Sequence, residues 1–171
     1  MMYRTGFGYD CHRLVPGGQL ILGGVRIDCG RRLVGHSDGD AVLHAVTDAI
    51  LGAIGEDDIG ELFPDSDQRW AGADSAVFVR EAVELAGRAG YRVANCDVTV
   101  VLEAPKLKPH KEQMKRRIAA LLGTEVGAVA VKAKTNEGIG FVGGEEALAA
   151  MAVVLVLTAD EAGPPTDEGK P

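Results

Sequence analysis

Apolar residues recur along this chain in two periods, and each change of period marks a boundary between elements. From Tyr3 to Tyr9 the run is short, flanked by aromatics and broken by Gly6 and Gly8, which predicts a strand passing close to another part of the chain. Leu20–Leu22 and Val25–Ile27 are two apolar-rich triplets separated by Gly23-Gly24, the pattern of a hairpin with a tight turn. Ala41, Val42, Ala45, Val46, Ala49 and Ile50 then fall at helical spacing, so a helix running to about Ile54 is expected, with Ser37 or Asp38 as its cap. Between Gly55 and Ala73 the pattern breaks into a long loop of acids, glycines and Pro64, and loops of that length are often functional.

A second helix opens at Ala73-Asp74-Ser75, turns Val77, Phe78, Ala82, Val83, Leu85 and Ala86 inward, and stops at Gly90. Tyr91 to Glu103 reads as a strand with Val98, Val100 and Leu102 on one face. Pro109 to Leu122 reads as a third helix ended by Gly123, and Val129 to Ala133 as another strand. Glu145 to Thr158 is ambiguous, alanine-rich at first and β-branched by Val153. The order of elements allows an α+β or an α/β arrangement in one domain over residues 1–160, and the polar, proline-containing stretch 161–171 is expected to be a disordered tail.

Charge narrows the function classes. A net charge of -7 repels nucleic acid and anionic lipid, so neither is an expected partner. An anionic substrate would have to be held by local devices, namely metal ions, placed lysines and backbone N–H groups. Cys11, Cys29 and Cys96 are odd in number and far apart, which suggests neither a disulfide framework nor a thiolate zinc site. With no secretory h-region in residues 1–10, and with the longest apolar run, Ala147 to Leu157, too short to span a bilayer, a cytoplasmic protein is expected.

The candidate chemistry lies in the breaks between elements. Asp10 and His12 stand two apart after a strand, where alternate side chains share a face. His44 sits on the first helix between Asp40 and Asp48, away from the strongest apolar stripe. Two imidazoles and a carboxylate are a three-ligand set that leaves zinc a fourth position for water or substrate. A D-x-H pair recurs by chance, however, and a helical histidine is more often a surface or core-edge residue, so the spacing leaves both readings open. Gly138 to Gly143 satisfies G-x-G-x-x-G, but too few residues follow for a dinucleotide fold, and these glycines read as a turn. Lys106, Lys108, His110 and Lys111, with Lys132 and Lys134, are either solvated lysines or a phosphate site.

Five blocks in order, GFGYDCHRL at 6–14, GHSDGDAVLHAVTDAILGA at 35–53, DIGELFPDSD at 58–67, DVTVVLEAPKLKPH at 97–110 and KTNEGIGFVG at 134–143, resemble the methylerythritol cyclodiphosphate synthase family from Arg4 to about Thr158. The resemblance implies an α+β fold, a single-domain mixed sheet covered by helices. It also implies a homotrimer with active sites between subunits and a central strand-lined contact made by Leu148 to Leu157. The implied activity is a phosphorus-oxygen lyase reaction on a cytidine-diphosphate substrate. Asp10, His12 and His44 would hold Zn2+, and Glu137 a second ion, Mg2+ or Mn2+, on the diphosphate. His36 and Thr135 would stabilise the transition state, with Ser37 beside His36. Asp58, Ile59 and Gly60, and Phe63, Pro64, Asp65, Ser66 and Asp67, would contact substrate together with Asp10, His12, Asn136, Glu137 and Phe141. Leu102, Glu103, Ala104, Pro105, Lys106, Leu107 and Lys108 would form the cytidine pocket with Ala133, Lys134 and Thr135.

The chain departs from the family pattern at Gly143-Gly144-Glu145-Glu146-Ala147 and at Met151. The resemblance implies that these positions line a central trimer cavity that holds isoprenoid diphosphates, and the departures argue against that ligand here. The rival readings are a metal or nucleotide sensor that binds without turnover, a metallophosphatase, and a purely structural trimer.

Overall fold

The computed structural model describes residues 2–159. The expectation of a disordered tail over 161–171 falls outside them. A five-stranded mixed sheet, in the order β4-β1-β7-β5-β6, carries the molecule, and a separate two-stranded hairpin, β2-β3, packs at its edge. The strands are β1 (Tyr3–Pro16), β2 (Leu20–Leu22), β3 (Val25–Ile27), β4 (Arg31–Leu33), β5 (Tyr91–Val101), β6 (Val129–Lys134) and β7 (Ala147–Thr158). β1 runs antiparallel to β4 and β7, β7 antiparallel to β5, and β5 parallel to β6. The helices are α1 (Ala41–Ile54), α2 (Ile59–Leu62), α3 (Ala76–Arg88), α4 (Lys111–Leu122) and α5 (Gly140–Gly143).

Strand β1 extends well beyond Tyr9. Its pairing with β7 continues from Tyr3↔Leu157 to Arg13↔Ala147, so Asp10 and His12 stand inside the strand rather than after it. The ambiguous C-terminal stretch is a strand throughout, because it lies between β1 and β5 and completes the ladders of both.

Alternation along the central strands divides the sheet into two unlike faces. Val98 and Val100 of β5 and Leu148, Ala150, Ala152, Val154 and Val156 of β7 are buried in one continuous core with α1, α3 and α4. The other face is uncovered in the single chain, where Phe7 and Tyr9 of β1 and Val153 of β7 are 62%, 49% and 46% exposed. In the single chain the helices therefore cover one face only.

The cap of α1 differs from the expectation of Ser37 or Asp38. Asp40 is the N-cap, and its fully buried carboxylate accepts from Val42 N and Leu43 N at 3.1 Å each, and from Gly23 N at 2.9 Å and Gly24 N at 2.6 Å in the hairpin turn. One side chain thus fixes both the helix start and the hairpin beside it. The stretch 55–73 is not a plain loop, since α2 and a 3-10 turn at Gln68–Trp70 fall within it. In α3 Phe78, Ala82 and Ala86 are buried as expected, whereas Val77 is exposed. The third helix begins at Lys111, past Pro109. Among the described residues no helix is long and apolar enough to cross a membrane.

Candidate metal centre and substrate cleft

Gly6, Gly8, Asp10 and His12 alternate onto the helix-facing side of β1, directly under α1. The two glycines let the helix come down onto the strand, and His44, next to the Ala45 that Gly8 faces, meets Asp10. Asp10 Oδ2 is 2.9 Å from His44 Nδ1 and 2.9 Å from His12 Nδ1. One ligand atom from each of the three residues lies within 4.8 Å of the others. A tetrahedral zinc with bonds of about 2.0–2.2 Å places its ligand atoms roughly 3.4 Å apart, so small rotations of these side chains suffice to enclose an ion. His12 Nδ1 supports that fit, since it is buried and aimed at a carboxylate without hydrogen-bond alignment.

The electrostatics agree. Burial by itself would raise the pKa of the Asp10 carboxyl, but the contacts with His12 and His44 outweigh it and hold the group well below the usual carboxylate range. Burial pulls the His44 pKa down, while its bond to Asp10 and the surrounding carboxylate charge lift it above the ordinary histidine value. Such an Asp10 stays anionic at any physiological pH and offers a bound cation a full negative charge.

On its far side His44 Nε2 lies 2.9 Å from Ser75 Oγ and 3.0 Å from Ser37 Oγ, and Ser75 Oγ donates to Asp38 Oδ1 at 2.5 Å. Neither Asp38 nor Ser75 was singled out for the site from sequence, because their link to His44 joins segments 31 to 37 residues apart.

A cleft of about 590 Å3 opens over the cluster, lined by Asp10, His12, His36, Ser37, His44, Ile59, Gly60, Phe63, Pro64, Asp65 and Ser66 among the expected site residues. Cys11, Trp70 and Phe78 line it as well, and they were not foreseen as site residues. The rings of Phe63, Trp70 and Phe78 stack edge-on or tilted on one another, and Phe78 lies 6.0 Å from the His44 ring. His36 Nε2 is buried without a partner.

Other expected residues stand elsewhere. Asp58 caps α2, accepting from Gly60 N and Glu61 N, and borders a smaller neighbouring cleft of about 300 Å3. Asp67 is engaged by Arg69. Leu102 to Lys108 follow the end of β5, and Ala133 to Glu137 run from the last two residues of the parallel strand β6 into the loop after it, the two joined where Leu102 N donates to Lys134 O at 2.9 Å. There Glu103 Oε1 accepts from Asn136 N at 2.7 Å, and Thr135 Oγ1 donates to Glu137 Oε1. Leu102 and Leu107 are core residues, so only their backbone can meet a ligand, whereas Lys106, Lys108 and Phe141 are exposed. Across the sheet the end of β5 lies two strand spacings from β1 and the end of β6 three, roughly 10 Å and 14 Å at about 4.8 Å per strand. The G-x-G-x-x-G stretch is a turn leading into the short helix α5, as its glycines suggested.

Fold and site together define a two-layer α+β protein in which three residues, Asp10, His12 and His44, could hold a metal ion in an open cleft. The chain belongs to the YgbB family, whose model matches residues 3–157. It is 56% identical over 151 residues to the 2-C-methyl-D-erythritol 2,4-cyclodiphosphate synthase of Symbiobacterium thermophilum, covering 88% of this chain and 96% of that protein. Among solved structures, the bifunctional IspDF of Campylobacter jejuni superposes with a TM-score of 0.89 at 37% identity, covering 94% of this chain and 44% of that one. IspF of Plasmodium falciparum in complex with CDP superposes with a TM-score of 0.81 at 34% identity, covering 91% and 96%.

Proposed function

We propose that this chain is a metal-dependent enzyme, a phosphorus-oxygen lyase, that cyclises 4-diphosphocytidyl-2-C-methyl-D-erythritol 2-phosphate to 2-C-methyl-D-erythritol 2,4-cyclodiphosphate and releases CMP, a step of non-mevalonate isoprenoid precursor synthesis. The observation that carries the reading is the Asp10, His12 and His44 cluster at the floor of the cleft, in a chain whose relatives of nearly equal length bear that synthase name.

The reaction joins two anions. The 2-phosphate oxygen attacks the β-phosphorus, the bond from that phosphorus to the bridging oxygen of the CMP moiety breaks, and the bridging oxygen leaves with CMP. No protein nucleophile takes part, so the chain has to hold the folded substrate in line and offset its charge. Zn2+ held by Asp10, His12 and His44, and Mg2+ or Mn2+ held with Glu137, would supply Lewis-acid polarisation and charge neutralisation of the diphosphate. His36, whose Nε2 has no protein partner, and Ser37 face the methylerythritol phosphate across the cleft. Thr135 donates to the reacting phosphates, and Lys106 offsets the charge developing on CMP. Backbone groups of Leu102 to Lys108 with Ala133 and Lys134 receive the cytosine.

The cleft of one chain contains none of the cytidine-side residues. In the assembly we propose, a homotrimer, the uncovered sheet face with Phe7, Tyr9 and Val153 packs against its counterparts, and a neighbouring copy brings its β5 and β6 ends to the metal cleft. The protein works in the cytoplasm on a soluble substrate.

Purified protein incubated with Mg2+ and the cytidyl substrate tests this function. CMP release by the wild type, and its loss together with bound zinc in His44→Ala, supports the reading, whereas a wild type that binds the substrate and leaves it unchanged identifies a sensor instead.

A further inference from the structure

Ser75 occupies the N-cap position of α3, where a serine hydroxyl ordinarily accepts a bond from the first helical turn, yet it makes no capping bond. Asp74 takes over that task by accepting from Ala76 N at 2.8 Å. The Ser75 side chain, fully buried, instead lies between Asp38 and His44, with Oγ 2.5 Å from Asp38 Oδ1 and 2.9 Å from His44 Nε2. Asp38 grips the same residue a second time, its Oδ2 accepting from Ser75 N at 3.2 Å.

The polarity of this chain of contacts is fixed by counting protons. A carboxylate only accepts, and a serine hydroxyl has one proton to give. That proton goes to Asp38, so toward His44 the Ser75 oxygen can only accept. Nε2 must then carry hydrogen in either charge state, so Nδ1, which faces Asp10 Oδ2 at 2.9 Å, is the nitrogen that gives up its proton and offers a lone pair when a cation binds. Ser37 Oγ, 3.0 Å from Nε2 and 3.2 Å from Ser75 Oγ, fits the same polarity, since it can give its own proton to Ser75 and accept from Nε2.

We propose that Asp38 and Ser75 are positioning residues that lock His44 in its Nε2–H tautomer and aim Nδ1 at the metal shared with Asp10 and His12. This rests on the metal reading of the site. It would be a carboxylate–histidine–metal arrangement with a serine hydroxyl interposed, and outer partners of that kind typically change metal affinity on the order of 10- to 100-fold when removed.

Chelator competition with Zn2+ on the full chain tests it, comparing wild type, Ser75→Ala and Asp38→Asn, alongside a long-range 15N–1H spectrum of the zinc-loaded protein to locate the His44 proton. The account expects the proton on Nε2 in the wild type and a roughly 10- to 100-fold weaker zinc affinity in Ser75→Ala. Asp38→Asn, nearly isosteric, keeps the packing but offers an amide donor to Ser75, so the hydroxyl can turn toward Nε2 and favour the wrong tautomer. Its zinc affinity should fall while its zinc-free thermal midpoint stays near that of the wild type. Wild-type affinity in both variants, or a His44 proton on Nδ1 in the zinc-loaded wild type, overturns the inference. A wild type that takes up no zinc overturns the metal reading itself and the inference with it.

Discussion

A methyl group placed on Gly8 would come within 2.0 Å of the carbonyl oxygen of Ala45, one residue beyond His44. Gly6 stands in the same relation to Ala49, at 1.9 Å. The atoms met are backbone, so no side-chain rotation relieves the overlap and the helix would have to lift. The height of α1 above β1, and with it the distance from His44 to Asp10, is therefore set by two absent side chains. Gly8→Ala should destabilise the fold by about 1–3 kcal/mol and weaken zinc binding along with it. Gly87→Ala, in α3 with nothing near its added carbon, is the control and should be neutral or stabilising by about 0.5–1 kcal/mol. Denaturant melts and a zinc titration of both variants check this, and a Gly8→Ala protein with unchanged zinc affinity would show that the site tolerates the lift.

Asp40 has four backbone N–H partners drawn from two elements. Asp40→Ala removes a helix cap and leaves buried donors in the Gly23-Gly24 turn unpaired, for an expected loss of about 3 kcal/mol. Asp40→Asn keeps an acceptor and should lose less. Urea unfolding followed by circular dichroism measures both, and equal stability of Asp40→Ala and wild type would contradict the proposed double duty.

Val153 lies on the uncovered sheet face, 46% exposed in the single chain. A glutamate there should cost the isolated fold less than about 0.5 kcal/mol yet place like charges together at the proposed contact between copies. Val153→Glu is expected to sediment as a monomer that still binds zinc and turns over little or no substrate. A trimer mass for this variant would remove the uncovered face from the interface.

Burial, with the neighbouring Asp97 charge, pushes the Cys96 thiol up to about 12. At pH 8 only about one molecule in ten thousand then carries the thiolate. Cys96 should resist alkylation in the native protein and become reactive when the chain unfolds, which peptide mapping after brief iodoacetamide treatment reads directly. Rapid native modification of Cys96 would argue that β5 opens easily.

Local patterns in the sequence carried much of this architecture. The Gly23-Gly24 hairpin and the α1 stripe from Ala41 to Ile50 are visible because turn chemistry and helical periodicity are properties of neighbouring residues. The length of β1 beyond Tyr9 is not visible, since Cys11 and Arg13 break the apolar pattern and only pairing with β7, more than a hundred residues away, extends the strand. That Asp10, His12 and His44 could share an ion was legible in type and spacing as one of two open readings, and the fold brings the three together. Its support was not, because Asp38 looks like a helix cap and Ser75 like a helix start until the fold brings both to His44. That the 102–108 and 133–137 residues stand outside the cleft of one chain was not legible either, as block order does not give a residue's place across the sheet.

Ring closure separates this chemistry from simple hydrolysis, and the phosphorus spectrum of the product distinguishes the two. Protein, Mg2+ and the cytidyl substrate should give one CMP for each cyclic diphosphate formed, with no free phosphate. Linear hydrolysis products in place of the ring would contradict the account and identify a metallophosphatase.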